Sequence, residues 1–288
     1  MVNPKKLLGI LLLFIVLLPF WGCKNKKADE IIIIPDAQKT HLQVSRLKGK
    51  IKIITTKSYF TQHKDSISDK TLKSIVIQQY SSDGYILKVV TLDQKKDTVR
   101  VRFVDYNGDV KQTKWTETDF ANKIVSYSQF KYDMNGYISG EEYYSADTLV
   151  YSIQYKTDGL GGITEMLKNN KQFTLKNQLQ YNEKGLLIRM DEYDPNGKLF
   201  KYVQYEYDNY GDEVNRKVFR GTKNMVEYTY TQYDLKGKLI KEIYQNMEHG
   251  LKEVKSYPSH DQTGNWTFEV FTANNDTIYF RKRDIIYY

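Results

Sequence analysis

Side chains that could do chemistry are few in this sequence, and most of them stand apart. Cys23 is the only thiol in 288 residues, so it has no intramolecular disulfide partner, and it directly follows Gly22. A lone thiol so placed is an acceptor for a covalent group rather than half of a bridge. His41, His63, His249 and His260 lie far apart, with no His-x-x-x-His spacing and no cysteine pair beside them. No metal site is expected, because a bound ion needs three or four converging donors. Glu141-Glu142 and Asp191-Glu192 offer the two carboxyls of a glycosidase. Neighbours on a strand point to opposite faces, however, and cannot flank one bond. Gly159, Gly161 and Gly162 imitate a phosphate-binding loop, but no Lys-Ser/Thr follows them. The expectation is therefore no catalytic residue, no metal and no cofactor.

What precedes Cys23 accounts for it. Lys5 and Lys6 are followed by an apolar run from Leu7 to Phe20, the pattern of a secretory signal. At 1.5 Å per helical residue that run reaches roughly 21 Å, short of the ~30 Å hydrocarbon core, so a membrane-spanning helix is the weaker reading. Gly22-Cys23 resembles the lipobox of bacterial lipoproteins, although Phe20 and Trp21 replace its usual leucine and small residue. The resemblance implies cleavage before Cys23 and diacylation of its thiol, and two or three acyl chains anchor a protein stably. Residues 1–22 are then the signal peptide, 23–40 a tether and 41–288 the folded domain. Lys24 after the cysteine, rather than aspartate, resembles lipoproteins released to an outer membrane. That places the chain in the cell envelope, lipid-anchored, on the periplasmic face or at the surface.

Composition sets the class of the domain. Losing Lys5 and Lys6 lowers the formal net charge from +8 to +6, with Lys, Asp and Glu spread along the chain and no basic run. Such a surface is a solvated mixture, and no nucleic-acid partner is expected. Twenty-five tyrosines and twelve phenylalanines against five prolines favour strands. Leu149, Tyr151, Ile153 and Tyr155 show period-2 alternation directly, as do Val203, Tyr205 and Tyr207, while no long helical stripe occurs.

An internal repeat decides the architecture. Glycines 84, 108, 136, 159, 185, 211, 237 and 264 are spaced by 24, 28, 23, 26, 26, 26 and 27 residues. Four residues before them stand Tyr80, Val104, Tyr132, Tyr155, Tyr181, Tyr207, Tyr233 and His260, and three before come Asp105, Asp133, Asn182, Asp208, Asp234 and Asp261. Two residues after come Ile86, Val110, Ile138, Leu187, Leu239 and Trp266, interrupted by Gly161 and Glu213. Asp or Asn can hydrogen-bond backbone two residues on and glycine supplies positive φ, so Tyr-Asp-x-x-Gly-x-apolar reads as a hairpin turn. Second breaks lie between these turns, from Asp93–Asp97 to Ala273–Asp276, giving two strands per unit. Leu47-Lys48-Gly49-Lys50-Ile51 matches Leu235-Lys236-Gly237-Lys238-Leu239, and the 35-residue gap from Gly49 to Gly84 implies an insertion within Gln62 to Lys73. About nine units and 16 to 18 strands are predicted.

Tyr132-Asp133-Met134-Asn135-Gly136, Tyr193-Asp194-Pro195-Asn196-Gly197, Tyr207-Asp208-Asn209-Tyr210-Gly211 and Tyr233-Asp234-Leu235-Lys236-Gly237 resemble the YD repeats of Rhs-type proteins. The likeness runs from about residue 41 to 288. In the large Rhs proteins such repeats build a spiralling shell around a cargo, a role for which this chain is too short. It is more similar to small envelope lipoproteins carrying degenerate YD-like repeats. A second likeness, to MORN-type repeats, lacks their Gly-x-Trp core. The expected fold is all-β, an elongated, twisted antiparallel β-meander or solenoid of about nine two-stranded units. An outer-membrane barrel is disfavoured because Leu239, Lys241, Ile243 against Ile240, Glu242, Tyr244 puts a charge on each strand face. The expected function is a non-catalytic binding or scaffold surface, its partners the membrane through the lipid and a protein or glycan. The alternative is a carbohydrate-binding module or a polysaccharide-acting enzyme with a site formed across repeats.

Overall fold

The computed structural model describes residues 40–61, 72–108, 111–221 and 224–288. The signal segment, Cys23 and the tether up to residue 39 lie outside the described residues, as do 62–71 of the expected insertion, and Leu72 and Lys73 already belong to a strand. Among the described residues there are eighteen strands, from β1 (Ile51–Phe60) to β18 (Asp276–Tyr287). Each pairs antiparallel with its chain neighbours in one sheet, and β1 pairs with both β2 (Leu72–Tyr80) and β18. The sheet therefore has no edge. It is a closed barrel, which corrects the expected open meander or solenoid. An open sheet of this size would leave two rows of unpaired backbone groups, and closure satisfies them against each other.

The turns supply the curvature. In the hairpin between β14 (Asn224–Tyr233) and β15 (Leu239–Asn246), Asp234 Oδ1 accepts from Lys236 N and Lys238 N at 2.8 Å each. The Asp234 N–H donates to Lys238 O at 2.9 Å, and Gly237 adopts φ +68. Directly after the turn the pairing skips, from Tyr233↔Leu239 to Gln232↔Lys241, which is a β-bulge. The same skip follows Tyr80↔Ile86, Tyr106↔Gln112, Tyr132↔Ile138, Thr157↔Ile163, Tyr181↔Leu187, Tyr207↔Glu213 and His260↔Trp266. Register shifts also follow five of the turns at the opposite end, and bulges increase twist and bend the strand, so they help the sheet curl.

These pairings revise the repeat register at two units. The left-handed glycine of the fourth turn is Gly161 (φ +88), and Asp158 Oδ1 accepts from Leu160 N and Gly162 N at 2.8 Å each. Thr157 then holds the tyrosine position and Ile163 the apolar one, so Gly161 interrupts nothing. In the second turn Asn107 is the acceptor for Lys111 N at 2.9 Å, which makes Tyr106 rather than Val104 the repeat tyrosine. Positions 80, 106, 132, 157, 181, 207, 233 and 260 are spaced by 26, 26, 25, 24, 26, 26 and 27 residues, more evenly than the glycines. Asp93 and Asp194 build the same turn at the opposite end of the barrel, with Lys96 (φ +70) and Gly197 (φ +78) left-handed.

Repeat tyrosines and the residues in register with them form the inner face. On it Ile54, Tyr80, Ser128, Thr231, Tyr257 and Glu269 are buried, while Phe103, Val125, Lys131 and Asp284 on the outer face are exposed. The bulge also turns Leu239 to the inner face beside Glu242, so Lys241 and Ile243 face outward without it. One element was not foreseen: a four-residue helix α1 (His41–Val44), capped by Thr40, whose side chain accepts from Gln43 N. Leu42 of α1 and Leu47 pack against Ile51, Ile54 and Tyr80, with Ile285 and Tyr287 alongside. A second cluster, Tyr59, Leu72 and Ile75, sits on β1 and β2.

Candidate functional site

Eight repeat positions point inward at one rim, and six of them make the same bond. Tyr106 Oη donates to Ile86 O, Tyr132 Oη to Gln112 O and Tyr207 Oη to Leu187 O, each at 2.7 Å. Tyr181 Oη reaches Ile163 O at 2.9 Å and Tyr233 Oη reaches Glu213 O at 3.4 Å. Each phenol closes the carbonyl of the first residue of the preceding strand, so each of these turns is tied to the one before it. His260 holds the tyrosine position in its unit and does the same work, its Nε2 lying 2.7 Å from Leu239 O. A carbonyl only accepts, so that nitrogen carries the proton. The histidine is a substituted ladder residue, as its place in the repeat suggested.

Beneath this rim the inner face of four strands walls a cavity of about 300 Å³. The row Arg216↔Thr229↔Tyr244↔Glu253 crosses β13 (Glu213–Arg220), β14, β15 and β16 (Leu251–His260) in register, and Thr231↔Glu242↔Lys255 runs beside it. Arg46, from the segment after α1, reaches in at 3.5 Å from Glu242 and stands 5.7 Å over the Tyr233 ring. Arg216 pairs with Glu213 at 3.0 Å, and Lys255 approaches Glu242 at 3.6 Å. Three cations thus face three carboxylates, and the cavity is polar without a net sign. Tyr257 Oη donates to Glu242 Oε2 at 2.5 Å, and burial, together with that carboxylate, pushes its phenol far above the ordinary range.

Next to it on the inner face lies a buried charge cluster. Glu269 is 1 % exposed, and burial raises its carboxyl, opposed by Arg281 and Lys255. Arg281 Nη1 lies 3.3 Å from its Oε1, close enough for an ion pair, although the geometry makes no directional hydrogen bond. The Arg283 guanidinium sits 3.4 Å over Trp266, and burial lowers it to about 10, so it stays charged at neutral pH. The arrangement can hold a small polar or zwitterionic molecule.

The other residues singled out in the sequence are not brought together. Cys23 and His63 lie outside the described residues. His41 packs edge-on against Tyr85 and Tyr106, where burial lowers its pKa. His249 sits at a hairpin tip with its backbone N–H on Asn246 Oδ1. Glu141 faces inward, accepting from Ser128 and Tyr155, and Glu142 faces Lys131 on the outside. Asp191 pairs with Arg189 at 2.8 Å on the outer face, while Glu192 pairs with Lys201 at 3.1 Å on the inner. Among the described residues no three His, Cys, Asp or Glu side chains gather as a metal cluster. The cavity itself was missed, though one signal pointed to it: Glu213 breaks the repeat's apolar position, and that position faces inward.

Aromatic rings are arranged in ladders rather than as a platform. Tyr127–Tyr144, Tyr143–Tyr151, Tyr202–Phe219 and Phe271–Tyr279 are direct cross-strand partners, stacked with centroids 4.7, 5.0, 4.5 and 4.4 Å apart. Arg102 covers Trp115 at 4.6 Å, Lys168 covers Tyr151 at 3.9 Å and Arg189 covers Tyr202 at 4.3 Å. In these ladders ring faces are turned toward each other or under cations, and a sugar stacks on faces, while Phe120, Phe200 and Tyr210 stand exposed outside them.

No family model matches the chain, and no curated protein does. Among solved structures, it is similar to TcdB2-TccC3-TEV over 79% of its length, at 8% identity and TM-score 0.36. It is similar to TcdB2-TccC3-Cdc42 over 79%, at 13% identity and TM-score 0.37. The chain covers only 16% and 14% of those two chains. A porin-like protein from Bacteroides uniformis matches over 83% of this chain and 98% of its own, at 12% identity and TM-score 0.43.

Proposed function

We propose that this chain is a non-catalytic envelope lipoprotein, held to the membrane by lipid on Cys23, whose barrel stands in water as a binding or scaffold surface. The observation that carries the reading lies in mid-strand on the outer wall. There Lys57 of β1 faces Lys282 of β18, and Lys282 and Asp284 are exposed. A lipid-facing wall must be apolar, since a lysine at the bilayer midplane costs about 2–4 kcal/mol. A barrel with ionised residues on both faces is built for water, so attachment falls to the N-terminal cysteine. The polar cavity under Arg46 is the place for a small ligand, and the outer wall is the place for a protein. Covered ring faces weigh against the carbohydrate-binding alternative.

Cys23→Ser is expected to move the protein from the membrane to the soluble fraction. Absence of labelling of the wild-type chain by an alkyne fatty acid would overturn the anchor. Pull-down from envelope extracts and a glycan array, both with intact protein, separate the two partner classes.

A further inference from the structure

The seam between β18 and β1 differs from every other strand pair in having no connecting turn, yet it reproduces the closing backbone bond, the bulge and the left-handed glycine of a YD turn. At the seventh turn the Asp234 N–H donates to Lys238 O at 2.9 Å, and at the seam the Tyr288 N–H donates to Lys50 O at 2.9 Å. Tyr287 pairs with Ile51 and Ile286 with Ile53, the same skip as Tyr233↔Leu239 and Gln232↔Lys241. Gly49 adopts φ +85, the left-handed conformation of the repeat glycine. Read across the gap, Tyr287-Tyr288 followed by Leu47-Lys48-Gly49-Lys50-Ile51 parallels Tyr233-Asp234-Leu235-Lys236-Gly237-Lys238-Leu239. Tyr287 also falls 27 residues after His260, one repeat on.

Where other turns have a covalent chain, this one has a stitch. Asn265 is 2 % exposed, and its amide grips Lys48 on both sides, accepting from Lys48 N at 2.7 Å and donating to Lys48 O at 2.8 Å. The same amide donates to Tyr287 Oη at 2.8 Å, and Tyr287 Oη donates to Asp261 Oδ2 at 2.5 Å. Both halves of the broken turn are thus clamped to the neighbouring turn. A buried amide with each group satisfied fixes one geometry and is costly to replace.

We propose that the two ends of the barrel together make a ninth YD unit, with Tyr287-Tyr288 as its first half and Leu47–Ile51 as its second, and that this split turn is the latch that closes the ring. Closure then depends chiefly on a backbone donor at 288 and on Asn265; the Tyr288 hydroxyl adds a tie to Tyr80 O at 2.6 Å, on the neighbouring strand β2 rather than on β1. The latch also sets the moment of closure, because β1 has no second partner until the last strand is in place.

The test uses the full chain in a Cys23→Ser background, with Lys57→Cys and Lys282→Cys as a reporter pair across the seam. The two lysines are cross-strand partners there, and Gln204→Cys with Lys217→Cys reports on an ordinary pair elsewhere. With a short thiol cross-linker, Tyr288→Pro, which removes the N–H, and Asn265→Ala should each slow seam cross-linking at least ten-fold. Cross-linking of the 204/217 pair should stay at its parent rate. Tyr288→Ala keeps the N–H and loses only the bond of its hydroxyl to Tyr80 O, so it should slow seam cross-linking far less than Tyr288→Pro. The proposal is overturned if the seam cross-links equally in all variants, if both pairs slow together, or if Tyr288→Ala opens the seam as far as Tyr288→Pro.

Discussion

Asp234 and Gly237 show how little is needed to fix one turn. One carboxylate oxygen satisfies two backbone N–H groups, and a single glycine accepts φ +68. Gly237→Val forces a β-branched side chain into that region and is expected to cost more than about 1 kcal/mol in denaturant unfolding. The neighbouring tyrosines act through one atom each. Tyr207→Phe keeps the ring and removes the donor to Leu187 O, with an expected loss of about 1 kcal/mol. If the phenylalanine variant unfolds at the wild-type midpoint, the tie between turns contributes nothing. His260→Phe should behave alike, because the same carbonyl bond is lost with its imidazole.

At the level of strands, register determines which charges meet. On the outer face Glu165 of β9 (Ile163–Asn170) lies between Lys156 of β8 (Thr148–Thr157) and Lys176 of β10 (Thr174–Tyr181), at 2.6 and 2.7 Å. Hydrogen bonds from these two lysines hold its carboxyl down at about 2. A depressed carboxylate contributes stability above its unfolded pKa and loses it as pH falls through the folded one. The β8–β10 region should therefore weaken between pH 4.5 and 2, and Glu165→Gln should flatten that part of the acid-unfolding profile. Lys156 is largely in water and Lys176 partly so, and the effect is therefore small and fades with salt. An acid profile unchanged by Glu165→Gln would show that the triad is too solvated to matter.

For the whole molecule, the absence of an edge changes how damage spreads. In an open array a lesion reaches a free end, whereas in a ring it travels both ways. Hydrogen exchange on Gly237→Val should rise first in β13–β16 and last on the far wall around β5 (Gln112–Asp119) and β6 (Ile124–Tyr132). Uniform loss of protection around the ring would mean the barrel opens as a single cooperative unit.

Sequence alone determined what is local. Turn chemistry acts over five residues, so Tyr-Asp-x-x-Gly, strand alternation, a unit of about 26 residues and the number of strands could all be read from residue types and spacing. Opposite faces for Glu141 and Glu142 followed from the same period-2 geometry. Tertiary structure decided what depends on residues far apart. Ile51 meets Tyr287 across the whole chain, and no local signal shows whether nine twisted hairpins miss each other or meet. Thr157 and Ile163 could be placed in the repeat only by their pairing, because Gly159 and Gly161 both fit the spacing. Which face turns inward depends on the sense in which the bulges curl the sheet, and only that choice gathers Arg46, Glu213 and Glu242 around one cavity.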